Sequence, residues 1–235
     1  MATRTAIGKC RTSALPCFKM YQRLLFCILI AKSASSSRIV GYRTKYEKGS
    51  DEYSSFYKEM KKLKLEELGR ISITEFKEVE KLPVSIVLDN IRSLHNVGSA
   101  FRTADAFRIE KIYLTGITGT PPHREIQKSA LGATESVAWE YVQSPATAVQ
   151  KLKALGYTIV IIEQTTESTP LHEFTPKPEK KYCLVFGNEV DGVSEEVIAL
   201  GDKALEIPQS GTKHSLNISV CLGIVVWEMY QKINL

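Results

Sequence analysis

At 235 residues and 43% hydrophobic, the chain can bury one sizeable core, or a core with a small appendage. The formal net charge of +5 is lopsided: residues 1–60 carry 11 Lys and Arg against 4 Asp and Glu, residues 61–235 carry 20 against 22. Bulk charge therefore argues against a general polyanion binder, and any nucleic-acid contact must come from a local patch. Five cysteines without a C-x-x-C pair and four scattered histidines argue against a metal site, and Cys183 and Cys221, inside apolar runs, read as small buried hydrophobes.

Residues 1–45 contain no acid and many Arg, Lys, Ser and Thr. Their apolar run Leu24–Ala31 is too short to span a bilayer, and no membrane association is expected. An organelle transit peptide (mitochondrial or plastid), a secretory signal, or translation starting at Met60 in a cytoplasmic protein would each account for this segment, which is set aside from the folded part. Residues 46–81 read as a helical extension with Tyr53, Phe56, Tyr57 and Met60 as its apolar stripe and a helix-like MKKLKLEELGR after it. The domain proper is placed at residues 82–235.

From there strands and helices alternate. Val84–Asp89 is a continuous apolar run, read as a buried strand, and Val97–Phe107 has apolar residues at helical spacing. Lys111–Gly116 follows as a strand, Arg124–Leu131 as a short helix, Ala138–Val142 as a strand and Pro145–Leu155 as a helix ended by Gly156. The β-branched Thr158–Glu163 and the run Tyr182–Gly187 are strands. The Pro- and Lys-rich Thr166–Lys181 between them reads as a surface connection. Ser194 begins a helix, Lys203–Pro208 is a last strand and Leu216–Ile233 a long apolar helix. This alternation predicts an α/β fold, a mostly parallel sheet with helices on both faces.

Such a sheet suggests first a dinucleotide-binding domain, but the first strand is followed by NIRSLHNVGSAFR, with one glycine where that site needs G-x-G-x-x-G. A phosphate-cradling P-loop is absent as well. Three other clusters stand where an open sheet presents ligand-binding loops, at the carboxyl ends of strands. They are N-x-G-x-x-x-R-T (Asn96, Gly98, Arg102, Thr103), G-N-E-x-x-G (Gly187, Asn188, Glu189, Gly192) and I-P followed by S-L-N (Ile207, Pro208, Ser215, Leu216, Asn217). Together, in order and each at a strand–loop–helix junction, they resemble the three motifs of the SpoU (TrmH-like) RNA ribose methyltransferases of the SPOUT superfamily.

The resemblance implies a carboxyl-terminal trefoil knot, a topology otherwise to be argued against. It further implies bound S-adenosylmethionine, a homodimer whose active site draws on both subunits, and methyl transfer to a ribose 2′-hydroxyl of RNA. By its motifs Arg102 is the catalytic residue, with Asn96, Glu189, Ser215 and Asn217 in the site. Gly187, Ile207 and Leu216 take the cofactor positions, and Gln164 and Thr165, after the Thr158–Glu163 strand, are added to that pocket.

The residues also carry plainer readings. A ribose hydroxyl must lose its proton as it attacks, and a guanidinium near a helix start suits the developing anion. Arg102 could equally be a surface arginine paired with Asp105. Asn96 reads as an N-cap whatever else it does, Ser215 and Asn217 as caps of the last helix, and Glu189 as a turn acid stabilised by the helix after it. His95 stands where many family members carry Arg. With no large amino-terminal RNA-binding domain, contact to RNA falls to Arg92, Arg124, Lys128 and Lys213, and tRNA is favoured over rRNA. The competing function is a non-catalytic RNA-binding protein that kept the fold.

Overall fold

The computed structural model describes residues 61–234, and from Leu65 onward they pack as one unit. Residues 1–45 and the stripe Tyr53, Phe56, Tyr57 and Met60 lie outside the described residues. Of the helix-like MKKLKLEELGR, the described residues from 61 onward form only a short 3-10 turn at Leu65–Leu68, which Gly69 follows in a left-handed conformation. Helix α1 (Ile73–Glu78) follows, started by a reciprocal capping box between Ser72 and Glu75.

Seven strands form one sheet: β1 (Leu82–Asp89), β2 (Ile109–Thr115), β3 (Trp139–Val142), β4 (Tyr157–Ile162), β5 (Thr169–Pro170), β6 (Lys181–Phe186) and β7 (Lys203–Glu206). Their order is β3-β2-β1-β6-β4-β7-β5, and every pairing is parallel. The helices are α2 (Leu94–Ala106), α3 (Arg124–Ala130), α4 (Ala133–Ser136), α5 (Pro145–Ala154), α6 (Glu195–Ile198) and α7 (Ile218–Asn234).

Strand residues divide by parity between two cores. Val84, Ile86, Leu88, Val160, Ile162, Leu184 and Phe186 meet α2 and α7 on one face. Val87, Ile159, Ile161, Cys183 and Val185 meet α5 and α6 on the other. A strand buried on both faces needs apolar residues at every position, which is why these runs are continuous rather than alternating. Each fully buried Ile, Val, Leu or Phe contributes on the order of 1.5–3 kcal/mol.

Several elements depart from expectation. Helix α2 begins three residues early: Ser93, not Asn96, is its N-cap, and the Ser93 hydroxyl accepts the Asn96 N–H at 3.3 Å. Helix α4 had not been foreseen. The stretch 166–181 is more than a surface connection, since it adds edge strand β5 beside β7 and buries Leu171 and Phe174. Phe174 packs edge-on against Tyr182, with ring centroids 5.9 Å apart. Lys232, on the last helix, donates to the carbonyls of Leu171 (3.4 Å), His172 (2.9 Å) and Phe174 (2.6 Å) and so fastens this stretch to α7.

Gly98, from the first motif, sits where α2 crosses α3. A Cβ there would collide with the Ser129 hydroxyl and the Ile126 carbonyl. The collision is with backbone, so a side chain cannot simply rotate away. Gly98→Ala is expected to lower stability by about 1–3 kcal/mol. Gly223→Ala, in α7 with open space around it, is expected to be neutral or stabilising by up to ~1 kcal/mol. Urea denaturation of the two variants checks both, and equal midpoints for them would contradict the crowded crossing.

Candidate functional site

The register of the sheet sets the site. Leu88 of β1 pairs with Phe186 of β6, Phe186 with Ile162 of β4, and Ile162 with Leu205 of β7. Four neighbouring parallel strands therefore end level, and the next residues, Asp89, Gly187, Glu163 and Glu206, emerge side by side. A polar rim on an apolar sheet edge results, in the place where open parallel sheets bind ligands.

The β6–α6 loop turns back on itself: Asn188 N–H donates to the Gly192 carbonyl at 2.9 Å and Gly192 N–H to the Asn188 carbonyl at 3.0 Å. The Asn188 side-chain oxygen accepts from Val190 (2.8 Å) and Asp191 (3.3 Å), while its amide donates to the Asn90 carbonyl at 2.7 Å. Gly187 is also required by the chain itself, because a Cβ there would strike the backbone of Gly192 and Val193.

Carboxylates join this loop to its neighbours. Asp89, buried at the end of β1, accepts the Ser194 N–H at 2.9 Å and hydroxyl at 2.8 Å. The Ser194 hydroxyl, thus engaged, makes no side-chain cap bond to α6. Glu163 accepts the N–H of Gln164 at 2.9 Å and of Val193 at 3.2 Å. Glu189 accepts the N–H of Arg92 (3.0 Å), the N–H of Ser93 (3.1 Å) and the Asn96 amide (2.9 Å). The acid is thus held by the start of α2, far back in the chain, rather than by the helix that follows it. Burial pushes the Glu189 carboxyl up, but the donors from Arg92, Asn96 and Ser93 outweigh it and hold the group below its ordinary value.

A cleft of about 490 Å³ opens over this rim, a size suited to a small-molecule cofactor. Phe186, Ile207 and Leu216 supply apolar walls, and Gly187, Glu189, Gln164, Ser215 and Asn217 also line it. The Gln164 amide donates to the His214 carbonyl at 3.2 Å, tying the 209–217 loop across the cleft. Asn217 caps α7, its side-chain oxygen accepting the Ser219 N–H at 2.8 Å, whereas Ser215 stands two residues earlier and makes no cap.

Other residues fall outside. Thr165 lines a separate shallow hollow and bonds to Ser168 and Glu167, because the chain turns away after Gln164. Asn96 does not line the cleft and joins it only through Glu189. Arg102 is exposed, lines no part of the cleft and lies about 12 Å along the axis from the start of α2, too far for the helix terminus to act on it. Its alternative pairing with Asp105 is not made, and Asp105 accepts the Ser136 hydroxyl. Arg92, Arg124, Lys128 and Lys213 are all exposed, although Lys128 is paired with Glu125 at 2.7 Å, and Glu125 also meets His95 at 3.2 Å. Sequence reasoning missed Asp89, Glu163 and Asn188 as structural members of the rim. The available signal was an acid closing each of two apolar strand runs. No group of residues able to hold a metal ion occurs among the described residues.

The model of the SpoU rRNA Methylase family matches residues 83–227. The tRNA (guanosine(18)-2'-O)-methyltransferase of Aquifex aeolicus is 32% identical over 162 residues, covering 66% of this chain and 72% of that protein. The 23S rRNA (guanosine-2'-O-)-methyltransferase RlmB of Neisseria meningitidis serogroup B is 32% identical over 146 residues, covering 62% of this chain but only 57% of that protein. Among solved structures, the A. aeolicus TrmH/SpoU tRNA modifying enzyme matches with a TM-score of 0.61 at 29% identity, over 68% of this chain and 81% of that one. The AdoMet-bound rRNA methyltransferase from Sinorhizobium meliloti matches with a TM-score of 0.60 at 25% identity, over 66% and 59%.

The Glu189 bonds carry a pH signature. A carboxyl held low in the folded state stabilises the fold fully above its unfolded value of roughly 4.3, and that contribution disappears as pH falls through the folded value. Glu189→Gln is therefore expected to be less stable than the parent at neutral pH, with the gap closing below about pH 4. Denaturant titrations across pH measure it, and a gap independent of pH would show that the charge does not matter.

Proposed function

The chain belongs to the SpoU rRNA Methylase family, and on that premise we propose that it is an S-adenosylmethionine-dependent RNA 2′-O-ribose methyltransferase. The observation that carries this reading is the meeting of two separate motifs, Gly187–Gly192 and Ile207–Asn217, in one cleft at level strand ends, with the third tied to it through Glu189. The AdoMet-bound relative supports the cofactor.

The cleft fits that group. Ile207, Leu216 and Phe186 offer an apolar slot for a base, while the backbone of the Gly187–Gly192 turn and the Gln164, Ser215 and Asn217 side chains offer polar partners. When bound, the cofactor supplies an electrophilic methyl on a sulfonium. The chain's own part is to orient the ribose and stabilise its oxygen as the proton leaves. Glu189 fixes Asn96 and the start of α2, and so positions the helix that carries Arg102. Arg102 is the group that faces the developing oxyanion. The trefoil knot is part of this proposal, with the 209–217 loop and α7 as the segment that closes it.

Arg102 is exposed and outside its own cleft, so in this reading it serves the cleft of a second copy. Helix α7 exposes Val220, Ile224 and Trp227 at i, i+4 and i+7, one apolar stripe. Trp227 lies against Phe107, which ends α2, at 5.8 Å between ring centroids. A homodimer joined over α2 and α7 would cover that stripe and bring Arg102 to the partner's rim. RNA would meet Arg92, Arg124 and Lys213 around it, and tRNA is the first substrate to test, in line with the A. aeolicus relative. The cell compartment proposed is the cytoplasm, or an organelle if residues 1–45 act as a transit peptide. Among the described residues no helix is long and apolar enough to cross a membrane.

Arg102→Ala is expected to keep S-adenosylmethionine affinity while methyl transfer to tRNA falls by roughly 10²–10³-fold, the usual cost of removing a donor to a developing oxyanion. Calorimetry and a tritiated-methyl assay measure the two, and unchanged turnover would remove Arg102 from the mechanism. A parent protein that binds cofactor but methylates neither tRNA nor rRNA would support the non-catalytic alternative. In the same assays Trp227→Glu is expected to shift the protein from dimer to monomer in sedimentation and to abolish transfer.

A further inference from the structure

The cleft is lined by an excess of acids. Glu163, Glu189, Asp191 and Glu206 line it, His214 is the one basic side chain among its lining residues, and no lysine or arginine joins it. Of these, Glu163 stands at the centre of the rim, between Gly187 at the end of β6 and Glu206 at the end of β7, and is half-buried. Its two oxygens accept one N–H each, from Gln164 and Val193. An ionised carboxylate offers about four acceptor positions, so roughly two remain open. Glu189, by contrast, is exposed and already holds three donors at the start of α2. On the α7 wall of the same cleft, burial first, and then the Glu163 charge, push the thiol of Cys221 up to about 11.

Transfer changes the charge of what the cleft holds. The sulfur–methyl bond breaks with its electron pair staying on sulfur, a carbon–oxygen bond forms to the ribose, and the hydroxyl proton leaves to solvent. The cofactor's sulfur goes from cation to neutral thioether, while its ammonium and carboxylate are unchanged. Resting on the cofactor reading above, we propose that Glu163, backed by the other three carboxylates, makes this cleft a reader of the sulfonium charge. It holds S-adenosylmethionine more tightly than S-adenosylhomocysteine and so favours release of the spent product. A carboxylate in a half-buried site acts through a lower effective dielectric than one in open water, which gives Glu163 the largest share of the effect, while the cleft stays open enough for salt to reach it.

The test is calorimetry of the full chain with the two ligands separately, in about 50 mM and about 1 M salt, for the parent and Glu163→Gln. The parent is expected to prefer the sulfonium ligand, and high salt to shrink that preference. Glu163→Gln is expected to lose on the order of tenfold in affinity for S-adenosylmethionine and less than about threefold for S-adenosylhomocysteine. Equal losses for both ligands, or a parent preference that ignores salt, would overturn the proposal. A parent that binds neither ligand would instead overturn the cofactor reading beneath it. If the variant melts early, the salt series on the parent decides alone.

Discussion

Four parallel strands that stop at the same level create a problem which the rest of the site solves. Their last residues send backbone in different directions at one edge, and the polar groups left there need partners. Asp89, Glu163 and Glu189 supply them, each accepting N–H groups from a segment other than its own strand or turn. Asn188 closes the remaining gap by donating to the Asn90 carbonyl. The rim is thus tied together by the chain's own groups, and two of the acids that fasten the loops, Glu163 and Glu189, also line the cleft. Stability and chemistry share atoms here, so the site is built from the end of the sheet rather than laid upon it.

That sharing explains how far the sequence could be read. Runs such as Val84–Asp89 and Thr158–Glu163 announce strands buried on both faces, because only such strands need apolar residues at every position. Edge strand β5 escaped notice because it is a threonine and a proline, recruited by β7 and by Leu171 and Phe174 beneath, with no pattern of its own. Ser93 and Asn96 are both good caps, and local sequence cannot rank them. What decides is Glu189, whose carboxylate takes the Asn96 amide and leaves the capping bond to Ser93. The cleft itself was legible in Gly187, Glu189, Ile207, Ser215, Leu216 and Asn217, which converge as their motifs suggested. Thr165 and Arg102 were not, since neither a turn after a strand nor the far side of a helix leaves a local mark.

The two motif glycines teach a related point. Gly98 is required by the crossing of α2 over α3, and Gly187 by the return of the chain at Gly192 and Val193. Gly98 could be mistaken for a ligand contact from its place in a motif, whereas Gly187 lines the cleft and is required by the chain's own return as well. In each case the crowding atom belongs to the protein, so a side chain there would disturb the scaffold that aims Asn96 and Glu189. A motif position and a contact position are different things, and packing geometry separates them.

Helix α7 contributes Ile218 and Cys221 to the wall of the cleft, and its far end holds three carbonyls of the 171–174 stretch through Lys232. One helix thus walls the cleft at its start and fastens the 171–174 stretch at its end. Any molecule that prefers the finished cavity must, by mass action, favour the docked helix as well. Filling the cavity therefore steadies a segment held at the opposite end of that helix from the ligand.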